Sequence, residues 1–169
     1  MRILVTAASR HGSTADIAER IAATLTIAGH DVHRTTPDRV ETLDGYDGAV
    51  IGSGVYAGQW LAPATTFVDR YASQLERIPV WLFSSGPIGD PAKPEGEPAG
   101  ALPIAERLRA RDHRVFPGRL DKQGLGFAER AITRIIRAPE GDYRPWPEIE
   151  AWARGIATAM EARRQLTTV

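Results

Sequence analysis

Apolar and polar positions along this chain change period at regular intervals. Ile3, Leu4 and Val5 form an apolar run with the pattern of a strand, which breaks into Ser9, Arg10, His11, Gly12, Ser13 and Thr14. Ile17, Ile21 and Leu25 then recur every four residues beside Ala18 and Ala22, which predicts a helix with one apolar face. Ser13 and Asp16 spell a Ser-x-x-Asp helix start, and Gly29 is the expected stop. Residues 30–35 read as a second strand and 37–47 as a polar connection. Residues 48–52 are small or apolar throughout, as in a strand buried on both faces.

A glycine-rich loop holding Tyr56 and Trp60 is expected over 53–60. Pro63 suits the first turn of a second helix, whose stripe is Phe67, Val68, Tyr71 and Leu75. Residues 78–83 read as a fourth strand that opens into a Pro- and Gly-rich loop running to residue 100, and loops of that length in compact domains are usually functional or mobile. A short helix over 103–111 and a fifth strand over 113–120 follow. An extra piece, 122–142, separates that strand from the last helix. Its centre, 127–138, has Ala128, Ala131, Ile132, Ile135 and Ile136 on one helical face and Arg130, Arg134 and Arg137 on the other. Pro147 opens the last helix, with Ile149, Trp152, Ile156 and Met160 as its buried stripe, and Tyr71 and Trp81 also belong to regular apolar patterns.

Strands alternating with helices predict a parallel sheet covered on both faces and joined by right-handed crossovers. The expectation is therefore an α/β three-layer sandwich, five parallel strands in order 2-1-3-4-5, with an insertion before the last helix. With no repeat and no boundary in the pattern, residues 1–169 are expected to form one domain. Ligands in such sheets bind beyond the carboxyl ends of the strands, at the switch point between strands 1 and 3. The loops there are 9–14, 53–60 and 84–100, the three stretches richest in small residues.

Composition narrows the chemistry. The chain is 43% apolar and 25% charged, ordinary for a globular protein. It has no cysteine, which excludes structural disulfides, Cys-ligated zinc, iron–sulfur clusters and thiol catalysis. Residues 1–5 read as a strand rather than a signal peptide, and no apolar run approaches the roughly 18–20 residues of a membrane span, so a cytoplasmic location is expected. Formal net charge is zero but uneven: 31–101 carries ten acids against five bases, and 102–137 nine bases against four acids. Arginines are spread along the whole chain, so no nucleic-acid partner is expected, and the four histidines have no ligand spacing, so no metal site is expected either.

The turn after the first strand is a phosphate cradle on physical grounds. First-turn N–H groups of a helix lack intrahelical acceptors and carry partial positive charge. Gly12 permits unusual backbone angles, and Ser9, Ser13 and Thr14 offer hydroxyls. The turn has no Lys, against a P-loop nucleotidase, and no Cys, against a low-molecular-weight phosphatase. Gly52-x-Gly54-x-x-x-Gly58 is one residue too long for a dinucleotide fingerprint and follows the wrong strand. Ala8 and Ser53 stand where a response regulator needs acids.

Ser9-x-x-Gly12-x-Thr14 resembles the flavodoxin phosphate loop, usually Thr/Ser-x-Thr-Gly-x-Thr, with His11 in place of a hydroxyl residue. Within that superfamily the chain most resembles the menaquinone-dependent protoporphyrinogen oxidase type. That type has a Ser/Thr-Arg-x-Gly-x-Thr turn, an Ile-Gly-x-x-x-x-Tyr/Ala-Gly loop after strand 3, and an insertion before the last helix. The resemblance implies FMN as cofactor, its phosphate held by Ser9, Arg10, His11, Gly12, Ser13 and Thr14. It places Ser53, Gly54, Val55, Tyr56, Ala57 and Gly58 along one side of the isoalloxazine ring, Tyr56 stacking on it. Ser84, Ser85, Gly86, Pro87 and Ile88 would line the ring's polar edge, while Trp60 either touches the flavin or packs at the start of helix 2.

Two functions follow from the resemblance. One is an FMN-dependent oxidoreductase passing electrons from a reduced substrate, protoporphyrinogen IX in the related enzymes, to a quinone. Residues 122–142 would then meet anionic lipid or substrate carboxylates, a peripheral contact at the inner face of the membrane. The other is an electron-carrier flavodoxin docking to a redox-partner protein, a role that usually goes with an acidic surface. A flavodoxin-like protein that has lost flavin is the third alternative. No catalytic acid–base pair is evident in any of them.

Overall fold

Alternation along the first strand decides the layers. In β1 (Arg2–Ala8), Ile3, Val5 and Ala7 face one side of the sheet and Leu4 and Ala8 the other, and all five are buried. The structure, a computed structural model, describes residues 1–86, 96, 98–120 and 140–167. β2 (Asp31–Thr35), β3 (Gly48–Tyr56), β5 (Val80–Ser85) and β6 (Asp112–Phe116) complete a parallel sheet in the order β2-β1-β3-β5-β6. This is the order expected from the sequence. The additional strand β4 (Gln59–Trp60) pairs antiparallel with the end of β3 and lies off the main path.

Two apolar layers hold the sheet. On one face, α1 (Ser13–Ile27) and α4 (Trp146–Thr167) bury Ile17, Ile21, Leu25, Ile149, Ile156 and Met160 against Ile3, Val5, Val50, Trp81 and Phe83. On the other, α2 (Ala62–Leu75) packs Phe67, Val68, Tyr71 and Leu75 on Leu4, Ile51 and Leu82, with α3 (Leu102–Leu108) adding Leu108. Burial of apolar area is what stabilises such a sandwich, at about 25 cal/mol per Å². Among the described residues no helix is long and apolar enough to cross a membrane.

Several local expectations change. The segment 53–60 is not a loop: β3 runs on to Tyr56, Ala57 and Gly58 both take positive φ, and the chain returns as β4. Two residues with positive φ are what a tight two-residue hairpin requires, because its twist must match that of the strands. The connection 37–47 is not wholly polar. Pro37–Arg39 forms a 3-10 turn, and Val40, Leu43 and Tyr46 are buried in the α2 layer, where the Tyr71 hydroxyl donates to the Val40 and Glu41 carbonyls. Ser13 is not a helix cap. Gly12, at φ 84°, holds that position, and Ser13 is the first helical residue.

The fifth strand ends at Phe116, and Arg119–Leu120 (β7) pairs antiparallel with Gly141–Asp142 (β8). The two ends of the expected insertion are thus joined by a short ladder. The amphipathic segment 127–138 lies outside the described residues, as do Pro87 and Ile88. Trp81 and Tyr71 are core as expected, whereas Trp152 is only partly buried, against Phe83 and Phe116.

Candidate ligand site at the carboxyl edge of the sheet

Parallel register brings the three small-residue segments side by side. Ala8 pairs with Ser53, Ser53 with Ser84, and Gly54 with Ser85, so the chain leaves β1, β3 and β5 at one level. The α1 first turn stands directly over this edge. A Cβ built on Gly54 would sit 3.2 Å from Thr14 Oγ1 and 3.4 Å from the Tyr56 ring, so the absence of a side chain at 54 lets β3 approach the turn. Thr14 is 4% exposed, and its hydroxyl makes no hydrogen bond to any described residue. A hydroxyl without a protein partner among the described residues, beside the first-turn N–H groups, is suited to an anionic oxygen.

Ser9, Gly12 and Ser13 are partly buried around that turn, while Arg10 and His11 are exposed and reach over the hairpin. The Arg10 guanidinium lies 5.5 Å from the Tyr56 ring centre, and the His11 ring 6.3 Å from it. Tyr56, Val55 and Gly58 are partly buried and Ala57 is exposed at the hairpin tip. Ser85 is buried and Gly86 partly buried at the end of β5. These residues surround one space.

Two predicted side chains are turned elsewhere. Ser53 Oγ donates to the Gly54 carbonyl and accepts from the Leu61 N–H, which ties β3 to the start of α2. Ser84, fully buried, accepts from the Trp60 indole N–H at 2.8 Å and shares a second bond with His113 Nε2. Trp60 therefore packs in the α2 layer, the second of the two roles open to it.

Gly118, Arg119 and Arg144 complete the site, and no sequence motif marks them. A Cβ on Gly118 would lie 3.6 Å from both Ser13 Oγ and Ser85 Oγ, so this residue joins the two loops. The Arg119 main-chain N–H donates to Ser13 Oγ at 2.9 Å, and its guanidinium is 3.6 Å from Asp16. Arg144 is buried and forks onto Asp142 at 2.6 and 2.7 Å, reaches Asp16 at 2.7 Å and lies over the Trp146 ring. The hydrogen bond from Arg144 holds the Asp142 carboxyl below its ordinary range, and the bonds to Asp142 and Asp16 raise the guanidinium above its own. With Asp16 neutralised by arginine, its charge does not cancel the positive end of α1. The only local clue was Pro117-Gly118, a turn signal closing the fifth strand.

A second hollow, of about 530 Å³, lies between β6 and α4 and is lined by Trp81, Arg114, Phe116 and Trp152, apart from every predicted site residue. Among the described residues no cluster of acids and histidines could hold a metal ion.

The flavodoxin domain family matches residues 4–145. No curated protein matches the chain. Among solved structures, a flavodoxin from the domain Archaea is similar at TM-score 0.68 and 15% identity over 95% of this chain and 99% of that one. A flavodoxin variant from Pseudomonas aeruginosa reaches TM-score 0.62 at 15% identity, covering 95% and 99%. The flavodiiron core of Flv1 from Synechocystis reaches 0.67 at 16% identity, covering 96% of this chain but 36% of that one. At such identities these likenesses establish the fold.

Proposed function

The chain belongs to the flavodoxin domain family, and on that premise we propose that it binds FMN and passes electrons from a reduced substrate to a quinone. The observation that carries the FMN reading is the convergence of Thr14, the first turn of α1, Tyr56 and Ser85–Gly86 at the switch point between β1 and β3. Ser9, Arg10, His11, Gly12, Ser13 and Thr14 would hold the phosphate. Ser53 to Gly58 and Ser84 to Gly86, with Pro87 and Ile88 beyond the described residues, would line the ring, Ser53 and Ser84 through main-chain groups because their hydroxyls are already bonded. When bound, FMN supplies hydride or single-electron chemistry, and the protein sets its position and potential. Tyr56, on the hairpin, would cover the ring and exclude water.

The finer reading, oxidation of protoporphyrinogen IX with a quinone acceptor by one domain spanning residues 1–169, is supported by the Arg10–Gly12–Thr14 turn and by the insertion at 122–142. The zero net charge also separates this chain from an acidic carrier. The carrier reading draws its own support from flavodoxins matched over 99% of their length.

Titration of the purified protein with FMN tests the first step, and a colourless protein that ignores added FMN overturns both redox readings. Quinone-dependent oxidation of protoporphyrinogen by the full chain, absent after deletion of 122–142, separates enzyme from carrier.

A further inference from the structure

The first turn of α1 faces a cation that no phosphate-loop motif predicts. The Arg119 guanidinium Nη2 lies 4.0 Å from the position a Cβ would take on Gly12, and its main-chain N–H is fixed to Ser13 Oγ at 2.9 Å. Its ion pair with Asp16 is long, 3.6 Å, whereas Arg144 meets the same Asp16 oxygen at 2.7 Å. Arg144, which also forks onto Asp142, makes the close contact with Asp16, so Arg119 balances the second carboxylate from a distance and its Nη2 end faces the turn. Thr14, 4% exposed with no hydrogen bond to a described residue, points independently to an acceptor at this place.

We propose that Arg119 is a phosphate-binding residue that makes the site select phosphorylated over unphosphorylated flavin. The role rests on the FMN reading above and extends it. A phosphate monoester carries between one and two negative charges near neutral pH, and a helix terminus offers only about half a charge. Arg119 adds a guanidinium whose only direct ion pair among the described residues, to Asp16, is long, and it can turn its N–H groups to a phosphate. Its planar fork suits phosphate oxygens. Riboflavin ends in an uncharged hydroxyl and gains nothing from it.

The test is a fluorescence titration of flavin-free protein with FMN and with riboflavin, at low and high salt, for wild type, Arg119→Ala and Arg119→Lys. The main-chain bond to Ser13 survives both substitutions. Arg119→Ala should weaken FMN about tenfold, the size expected of a charge-assisted hydrogen bond, and leave riboflavin unchanged. Arg119→Lys should fall between, and the salt dependence of FMN binding should become shallower in Arg119→Ala. Riboflavin binding serves as the internal check on folding. Equal losses for both flavins, or an unchanged FMN-to-riboflavin ratio in a wild type that binds FMN, overturn the role of Arg119. A wild type that binds neither flavin overturns the FMN reading itself.

Discussion

Asp16 and Arg144 are 128 positions apart in the chain, and their side chains meet at 2.7 Å. One sits in the first turn of α1 and the other just before α4, so the contact fixes α1 to the chain leaving the β7–β8 ladder. The same guanidinium forks onto Asp142 and approaches the Ser13 carbonyl. The side chain of Arg144 is 4% exposed, while those of Asp16 and Asp142 are 47% and 40% exposed.

Replacing Arg144 with Met keeps the apolar stem and removes the fork. Because both carboxylates can regain water, the loss is set below that of a fully buried pair, at about 1–2 kcal/mol. Urea unfolding should show a lower midpoint at unchanged slope. An unaltered midpoint would mean the fork contributes nothing to stability.

Asp142 makes the clamp sensitive to acid. Its carboxyl titrates below the ordinary aspartate value because of the Arg144 hydrogen bond, so the folded state releases this proton more readily than the unfolded chain. The resulting stability is present above the unfolded value of about 4 and disappears as pH falls through the lower folded value. The gap in unfolding midpoint between wild type and Asp142→Asn should therefore be wider at pH 5 than at pH 3. A gap between them that stays constant across that range would show that this carboxylate does not contribute.

Gly52 lies beneath the ring of Phe83. A Cβ at 52 would come within 2.1 Å of that ring, and Phe83 is fully buried with Phe116 and Trp152 against it. Gly52→Ala should cost about 1–3 kcal/mol, the range for overpacking a filled core. Thermal melting reads it directly. Gly58, at the hairpin tip with nothing within 4 Å of its Cβ position, is the contrasting site, where a replacement is strained only by φ +75°.

The hydroxyls at the cradle carry the ligand prediction. Thr14→Ala combined with Ser9→Ala should weaken FMN binding about tenfold to a hundredfold, since two phosphate donors are lost. Thr14→Ser should keep most of the affinity. Calorimetry with FMN decides it, and unchanged affinity in the double variant would put the phosphate elsewhere.

Local pattern alone was enough for the layers and the switch point. Runs such as 48–52 and stripes such as Ile17, Ile21 and Leu25 encode burial by their period, and a parallel sheet with short crossovers leaves little choice of strand order. The same reading placed Ser9, Gly12 and Thr14 at a helix start, because the needs of that position are met within a few neighbouring residues. It misread 53–60, where glycines that signal a loop instead serve close packing and a tight hairpin: Gly54 against Thr14, Gly58 at positive φ. It also missed Arg119 and Arg144, and gave no sign that the Ser84 hydroxyl is held by Trp60 and His113. Those pairings join residues far apart in the chain, and charge or hydroxyl alone does not say which partner will reach it. Periodicity decided which faces are buried; only the folded chain decided which polar groups meet across them, because that depends on geometry summed over many intervening residues.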